Sequence, residues 1–271
     1  MEPKLQRRVQ RYGWDKASGF YEDSWKEQLE PAQDKLLQMI DLRPGEKVLE
    51  TACGTGLVTE RIAKYVSPGG SVTATDLSDG MLQLADSRMN VNGYGHVELK
   101  RMDAESLDIE NEQFDVAICA LGLMYVPNPV ASLREMYRVL KPGGRIAIAV
   151  WGERKNCGWA EIFPIVDKRV KTDVCPMFFQ QGTGNALSYS MKEAGFEPVW
   201  IERMGVNLHY KNDEHAILAA FAGGPVALAY QKFDEQTKRE AHNDYLNSIS
   251  QFKNENGYDI PGEFVVAKGL K

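Results

Sequence analysis

Four small or acidic residues at alternate positions, Glu50, Ala52, Gly54 and Gly56, carry the densest chemistry in this sequence. They lie in Val48-Leu49-Glu50-Thr51-Ala52-Cys53-Gly54-Thr55-Gly56-Leu57, where an apolar run enters a tight turn and leaves it as a helix. Glycines let the backbone approach a ligand and adopt dihedral angles that a side chain forbids. The helix start after Gly56 leaves N–H groups unpaired, a natural seat for a carboxylate or phosphate. Asp76 closes the next strand, twenty positions after Gly56. In a strand–turn–helix architecture an acid there reaches the two hydroxyls of a nucleoside ribose.

A dinucleotide cofactor would ask for G-x-G-x-x-G/A, with a third small residue for close packing. Aligned on Gly54 and Gly56 the third position is Thr59, and aligned on Ala52 and Gly54 it is Leu57. Neither fits well. An acid followed by small residues two, four and six positions on fits a different pattern. The stretch resembles the first motif of the class I S-adenosylmethionine-dependent methyltransferases. The resemblance continues through Asp76-Leu77-Ser78 with Met81, Met102-Asp103-Ala104-Glu105 and Phe114-Asp115, and ends at Leu140-Lys141-Pro142-Gly143-Gly144-Arg145. It covers residues 30–152 and is strongest to the small-molecule branch related to the ubiquinone/menaquinone-biosynthesis methyltransferases. Ala52 stands where glycine is usual, a tolerated variant.

The resemblance implies a role for each matched position. Ala52–Gly56 would run beside the methionine half of S-adenosylmethionine, with Glu50 reaching its amino group directly or through water. Asp76 would accept both ribose hydroxyls, while Leu77 and Met81 sandwich the adenine. Asp103 would take the adenine amino group, the Ala104 N–H a ring nitrogen, and the Leu121 carbonyl would lie near the methionine amino group. Tyr21, in an N-terminal helical lid, would approach the sulfonium. The implied reaction is in-line displacement of the methyl group by an O, N, S or C nucleophile of a small molecule. Such a reaction works mainly by alignment and water exclusion, which agrees with the lack of a recognisable triad, metal set or carboxylate pair. Two alternatives remain at this point: a nucleotide-dependent oxidoreductase, and a protein that binds S-adenosylmethionine without turnover.

Other reactive residue types have plainer readings. Asp115 is a structural acid at a strand start, and Cys53 a small buried thiol. His96 and His242 are surface residues. His209, ending a tail strand, His215, opening the helix after it, and Tyr125 are the candidates for a general base over the pocket. Trp159, Phe178 and Phe179, just after the fifth strand, are candidates for the wall of an acceptor pocket along with Tyr125. Ala216–Tyr230 reads as a cap or subunit contact with a packing role.

The elements that must position these residues are short apolar runs alternating with amphipathic ones. Strands are predicted at 47–50, 71–75, 97–100, 114–119 and 145–150, with helices at 57–66 and 130–140. Such alternation gives a parallel sheet covered on both faces, with ligands at the carboxyl ends of its strands. Two tail strands, 199–210 and 262–268, make an antiparallel edge pair and bring the sheet to seven. The whole is an α/β, Rossmann-like single domain. Residues 1–45 form the helical lid, 46–152 the cofactor core, and 153–183 and 211–260 the substrate-cap insertions. The lid is read as two helical stretches, one with Trp14, Ser18, Tyr21 and Trp25 at helical spacing, the other Pro31–Ile40.

Composition narrows the class. The 271 residues are 43% hydrophobic and 26% charged, with a net charge of −6. That is ordinary globular usage, and net acidity argues against nucleic-acid binding by phosphate neutralisation. Four cysteines without a CxxC pair indicate a reduced, cytoplasmic protein with no metal site. No apolar leader opens the chain, and Ala216–Tyr230, broken by Gly223-Gly224-Pro225, is too short to span a membrane. A monomer and a homodimer fit equally well.

Overall fold

The branched, apolar runs of the central segment meet as neighbouring strands in the computed structural model, which describes residues 2–171, 175 and 177–271. The strands are β1 (Lys47–Thr51), β2 (Ser71–Asp76), β3 (Val97–Arg101), β4 (Phe114–Ala120), β5 (Leu140–Trp151), β6 (Val199–Tyr210), β7 (Lys253–Asn254) and β8 (Gly257–Leu270). They form one sheet in the order β3-β2-β1-β4-β5-β8-β6, with β7 pairing only to β8. The first five are mutually parallel, and β8 runs antiparallel to both β5 and β6. The two-residue β7 makes eight strands where seven are predicted. The antiparallel edge pair is as expected, with the later strand inserted on the inner side.

Val48, Leu49, Val116, Ala117, Ile118 and Ile146–Val150 are fully buried, as strands covered on both faces must be. Helix α2 (Leu57–Val66) buries Val58, Thr59, Ile62, Ala63 and Val66, and α4 (Pro129–Val139) buries Ser132, Leu133, Met136 and Val139. Helix α4 ends at Val139, and the Pro142-Gly143-Gly144 stretch that follows lies within β5. There residues 141–144 bulge between the Phe114–Leu140 and Val116–Arg145 pairs. Between β2 and β3 sits a helix the periodicity did not suggest, α3 (Asp79–Val91), capped by the Ser78 hydroxyl, which accepts from the Met81 N–H.

The N-terminal residues form a single helix of 38 residues, α1 (Pro3–Ile40), rather than two. Pro31 removes one backbone donor, yet the helix continues because Leu29, Ala32, Leu36, Leu37 and Ile40 on either side are buried. Its end is tied down by Arg145, which donates to the Ile40 carbonyl and pairs with Glu46 at 2.7 Å. The remaining helices are α5 (Ile162–Asp167), α6 (Ala186–Glu193), α7 (Asp213–Ile217), α8 (Ala227–Tyr230) and α9 (Glu235–Ile249). Leu218–Ala222 widens into a π turn where a continuous helix is predicted. Of the predicted 153–183 insertion, residues 172–174 and 176 lie outside the described residues. Among the described residues no helix is long and apolar enough to cross a membrane.

Candidate active site

At the carboxyl ends of β1 and β4 the backbone enters the left-handed region four times, at Ala52 (φ 54°), Gly54 (φ 56°), Gly56 (φ 81°) and Leu121 (φ 63°). Ala52 and Leu121 carry side chains there, a costly conformation that clusters at functional sites. Gly122 is what lets the two turns touch: a Cβ on it would stand 2.3 Å from the Ala52 Cβ. The Gly54 N–H donates to Asp76 Oδ2 and the Ser78 N–H to Asp76 Oδ1, both at 2.9 Å. Asp76 is thus locked by two backbone donors at the end of β2, and burial raises its pKa. Beneath the turn, Glu50 Oε2 accepts from the Thr59 hydroxyl at 2.5 Å. Burial pushes its carboxyl up to about 8, opposed by the Thr59 bond and assisted by the Asp76 charge.

These turns open into one cavity, part of it open to solvent. Ala52, Gly54, Asp76, Leu77, Met81, Asp103, Ala104 and Leu121 all line it. Across from them α1 contributes Arg7, Gln10, Trp14, Tyr21, Trp25 and Leu29. One end is charged: Arg7 pairs with Asp103 Oδ2 at 2.8 Å and with Glu105 Oε2 at 2.9 Å. The other end is aromatic. Trp14 stands edge-on to Tyr125 with centroids 5.0 Å apart, Tyr125 to Phe178 at 5.5 Å, and Phe178 to Trp159 at 5.6 Å. Burial raises the phenols of Tyr21 and Tyr125 well above their ordinary range, so neither is a base near neutral pH.

A turn, a ribose-height acid and a second acid arranged around one cavity are what the motif resemblance requires, and comparison with known proteins decides the family. A family profile described as "Methyltransferase domain" matches residues 48–144. The ubiquinone/menaquinone biosynthesis C-methyltransferase UbiE of Ectopseudomonas mendocina is 32% identical over 183 residues, covering 62% of this chain and 72% of that protein. This chain belongs to the class I S-adenosylmethionine-dependent methyltransferases. The demethylmenaquinone methyltransferase of Lactobacillus johnsonii is 34% identical over 136 residues, 48% of this chain and 56% of that protein. In fold alone, the chain matches Haemonchus contortus phosphoethanolamine N-methyltransferase 2 in complex with S-adenosyl-L-methionine. The TM-score is 0.62 at 17% identity, over 95% of this chain and 57% of that one. The cofactor is therefore S-adenosylmethionine, and the oxidoreductase and non-catalytic alternatives fall away.

Within this methyltransferase, the other expected positions fall in several places. Gly56 lies outside the cavity lining and serves as the left-handed N-cap of α2, where a Cβ would meet Ala85 at 3.2 Å. Glu50 lies beneath the turn and outside the lining, on the side from which the resemblance has it reach the cofactor. His209 is not a base over the pocket: its ring Nδ1 is 3.1 Å from Asp259 Oδ1 on the exposed face of β6. Its backbone N–H and carbonyl are both taken by the Gln28 amide. His215 is turned to the Asp23 carbonyl at 3.0 Å. Phe179 does not line the cavity but packs behind Phe178 at 4.8 Å, whereas Tyr125, Trp159 and Phe178 do line it. His242 is half-buried against the Tyr230 hydroxyl at 2.9 Å rather than on the surface. Asp115, as expected, is structural, accepting from the Lys47 N–H and pairing with Lys141.

Sequence reasoning missed Arg7, Trp25, Trp151 and Pro225, all in the lining. Arg7 had a signal, being part of a short basic cluster with Arg8 and Arg11. The N-terminal half of α1 is held by further polar ties. Arg11 pairs with Asp79 at 2.5 Å, Asp15 accepts from the Ser78 hydroxyl at 2.6 Å, and Glu22 pairs with Arg88 at 2.6 Å.

Proposed function

We propose that this enzyme methylates a small, apolar, uncharged acceptor held among the aromatic side chains of the cavity, beneath α1 acting as a lid. The observation that carries this reading is the division of a single cavity into a charged end and an aromatic end. At the charged end, Asp76 suits the ribose hydroxyls, since a carboxylate can accept both donors of a cis-diol. Leu77 and Met81 suit the adenine faces, and Asp103 with the Ala104 N–H suits its edge. Gly54 fits a cradle for the methionine half: nothing stands within 4 Å of where its Cβ would be. Arg7 positions Asp103 by holding one of its oxygens. The Gln10, Arg11 and Asp15 side of α1, with the described residues of the 153–183 segment and with the 211–260 segment, forms the cap that excludes water.

Bound S-adenosylmethionine supplies a methyl group already activated on a sulfonium. The chain's own contribution is to hold the acceptor in line and strip its water, which supplies several kcal/mol of the barrier reduction without proton transfer. Methylation of an uncharged acceptor releases one proton, and with Tyr21 and Tyr125 held protonated by burial that proton leaves to solvent through the open side of the cavity rather than to either phenol. Asp76→Ala tests the cofactor half of the reading by calorimetry with S-adenosylhomocysteine. Two lost charge-assisted bonds, at about 1.5–3 kcal/mol each, predict at least a hundredfold weaker binding. Unchanged affinity in a folded variant would refute the assignment.

A further inference from the structure

Three charged side chains of α1 reach three different elements of the proposed cofactor site. Arg7, Asp15 and Glu22 follow one another at eight and seven residues, about two turns each, and so share one face of the helix. Arg7 Nε is 2.8 Å from Oδ2 of Asp103, the acid proposed for the adenine edge. Asp15 Oδ1 accepts from the Ser78 hydroxyl at 2.6 Å and from the Gly80 N–H at 3.0 Å. The Ser78 N–H in turn holds Oδ1 of Asp76, the acid proposed for the ribose. Glu22 Oε1 is 2.6 Å from Arg88 Nη2, and Arg88 Nε donates at 3.1 Å to the Thr55 carbonyl inside the Gly54–Gly56 turn.

Part-exposed ion pairs stabilise a fold little one by one; what gives these effect is where they end. As far as Ser24, α1 buries Gln6, Gln10, Gly13, Ala17 and Ser24, so apolar contact does little to anchor it. Beyond that, Leu29, Leu36, Leu37 and Ile40 are buried in the core. The first half nonetheless lies directly on α3: a Cβ at Gly80 would meet Ser18 Oγ at 3.0 Å and the Asp15 Cα at 3.2 Å. Its polar ties end on groups that the cofactor also needs fixed. Two partners that order the same groups favour each other's binding, and linkage makes the gain mutual.

We infer that Arg7, Asp15 and Glu22 are positioning residues, each setting a different part of the cofactor site, so that closing of α1 and binding of S-adenosylmethionine are one coupled event. The inference rests on the proposed cofactor site and says which residue of α1 serves which part of the ligand. Arg7 and Asp15 act on the adenosine part, through Asp103 and through Ser78 to Asp76. Glu22 acts on the methionine part, through Arg88 and the Thr55 carbonyl. A helix that merely covered the site would serve all parts of the ligand alike.

The test titrates the full-length enzyme with two ligands by calorimetry. One is S-adenosylhomocysteine; the other is methylthioadenosine, which keeps the adenosine and its sulfur but lacks the amino-acid end. One part-exposed tie predicts about a fivefold change in affinity. Arg7→Ala and Asp15→Ala should weaken both ligands by about that factor. Glu22→Ala should weaken S-adenosylhomocysteine alone, and Glu22→Gln, which keeps a bond to Arg88, should recover most of the loss. Should a variant fail to fold, hydrogen exchange of the wild type decides. There S-adenosylhomocysteine should slow the amides of residues 7–24 while leaving those of residues 32–40 nearly unchanged. One common factor for both ligands in all three alanine variants, unchanged affinities, or amides of residues 7–24 indifferent to the ligand would overturn the inference. Unchanged S-adenosylhomocysteine affinity in Asp76→Ala would instead overturn the site reading on which it rests.

Discussion

Glu50 should make this methyltransferase less stable as pH rises, an effect that its position allows to be sized. Its carboxyl is 1% exposed at the end of β1, and burial, with the Asp76 charge behind it, lifts the pKa from 4.5 to about 8. Between those values the folded chain holds a proton that the unfolded chain has released. Stability therefore falls with rising pH, the reverse of an ordinary paired carboxylate. At 1.36 kcal/mol per unit, the loss between about pH 5.5 and pH 8.5 comes to roughly 3 kcal/mol. Glu50→Gln keeps the shape and an acceptor for Thr59 but cannot ionise. Urea unfolding of both proteins at the two pH values isolates the term, because every other titrating group is shared. The variant should gain roughly 3 kcal/mol on the wild type across the interval. Saturating S-adenosylhomocysteine should flatten the wild-type slope, since an ammonium placed above Glu50 supplies the missing counter-charge. A difference between wild type and variant that does not change with pH would refute a protonated Glu50, and a wild type that gains stability relative to the variant would reverse its sign.

Two further substitutions probe the geometry around it. Gly122→Ala puts a Cβ 2.3 Å from the Ala52 Cβ and 3.1 Å from Cys119 Sγ, and should cost about 3 kcal/mol in thermal unfolding. Ala52→Gly removes the opposing methyl along with the cost of a left-handed alanine, so the double variant should recover about half of that loss. Simple additivity of the two would show that the turns do not touch. His209→Ala breaks only an exposed pair with Asp259, each side chain nearly half exposed. It should change stability by no more than about 0.5 kcal/mol and leave S-adenosylhomocysteine titrations unchanged. A tenfold weaker affinity would put His209 back over the pocket.

The turn and the acids at the strand ends were legible because their positions are set locally. The Glu50–Gly56 turn, Asp76 and Asp103 each sit within a few residues of a strand end, so strand and turn signals place them without tertiary knowledge. The parallel sheet followed from the same alternation, and β6 and α2 have their predicted limits. The lid was legible only in part. As far as Ser24 its buried face carries Gln6, Gln10, Gly13, Ala17 and Ser24, not an apolar stripe, so hydrophobic periodicity had little to find there. What holds it is a set of polar ties to residues 63 to 181 positions away, and no local pattern encodes those.

The aromatic end of the cavity was less legible still, for two different physical reasons. Trp25, Trp151 and Trp159 meet only because α1 crosses the carboxyl edge of β5, a packing choice that no spacing announces. Phe178 and Phe179 are neighbours in a stretch without regular period, and such a stretch cannot say which ring faces the cavity. His209 is another matter. In β6 the side chains of Leu208 and Tyr210 are buried and that of His209 is exposed, the alternation any strand imposes. A run reading Leu208-His209-Tyr210 inside a predicted strand already turns the two bulky apolar side chains inward and the imidazole out.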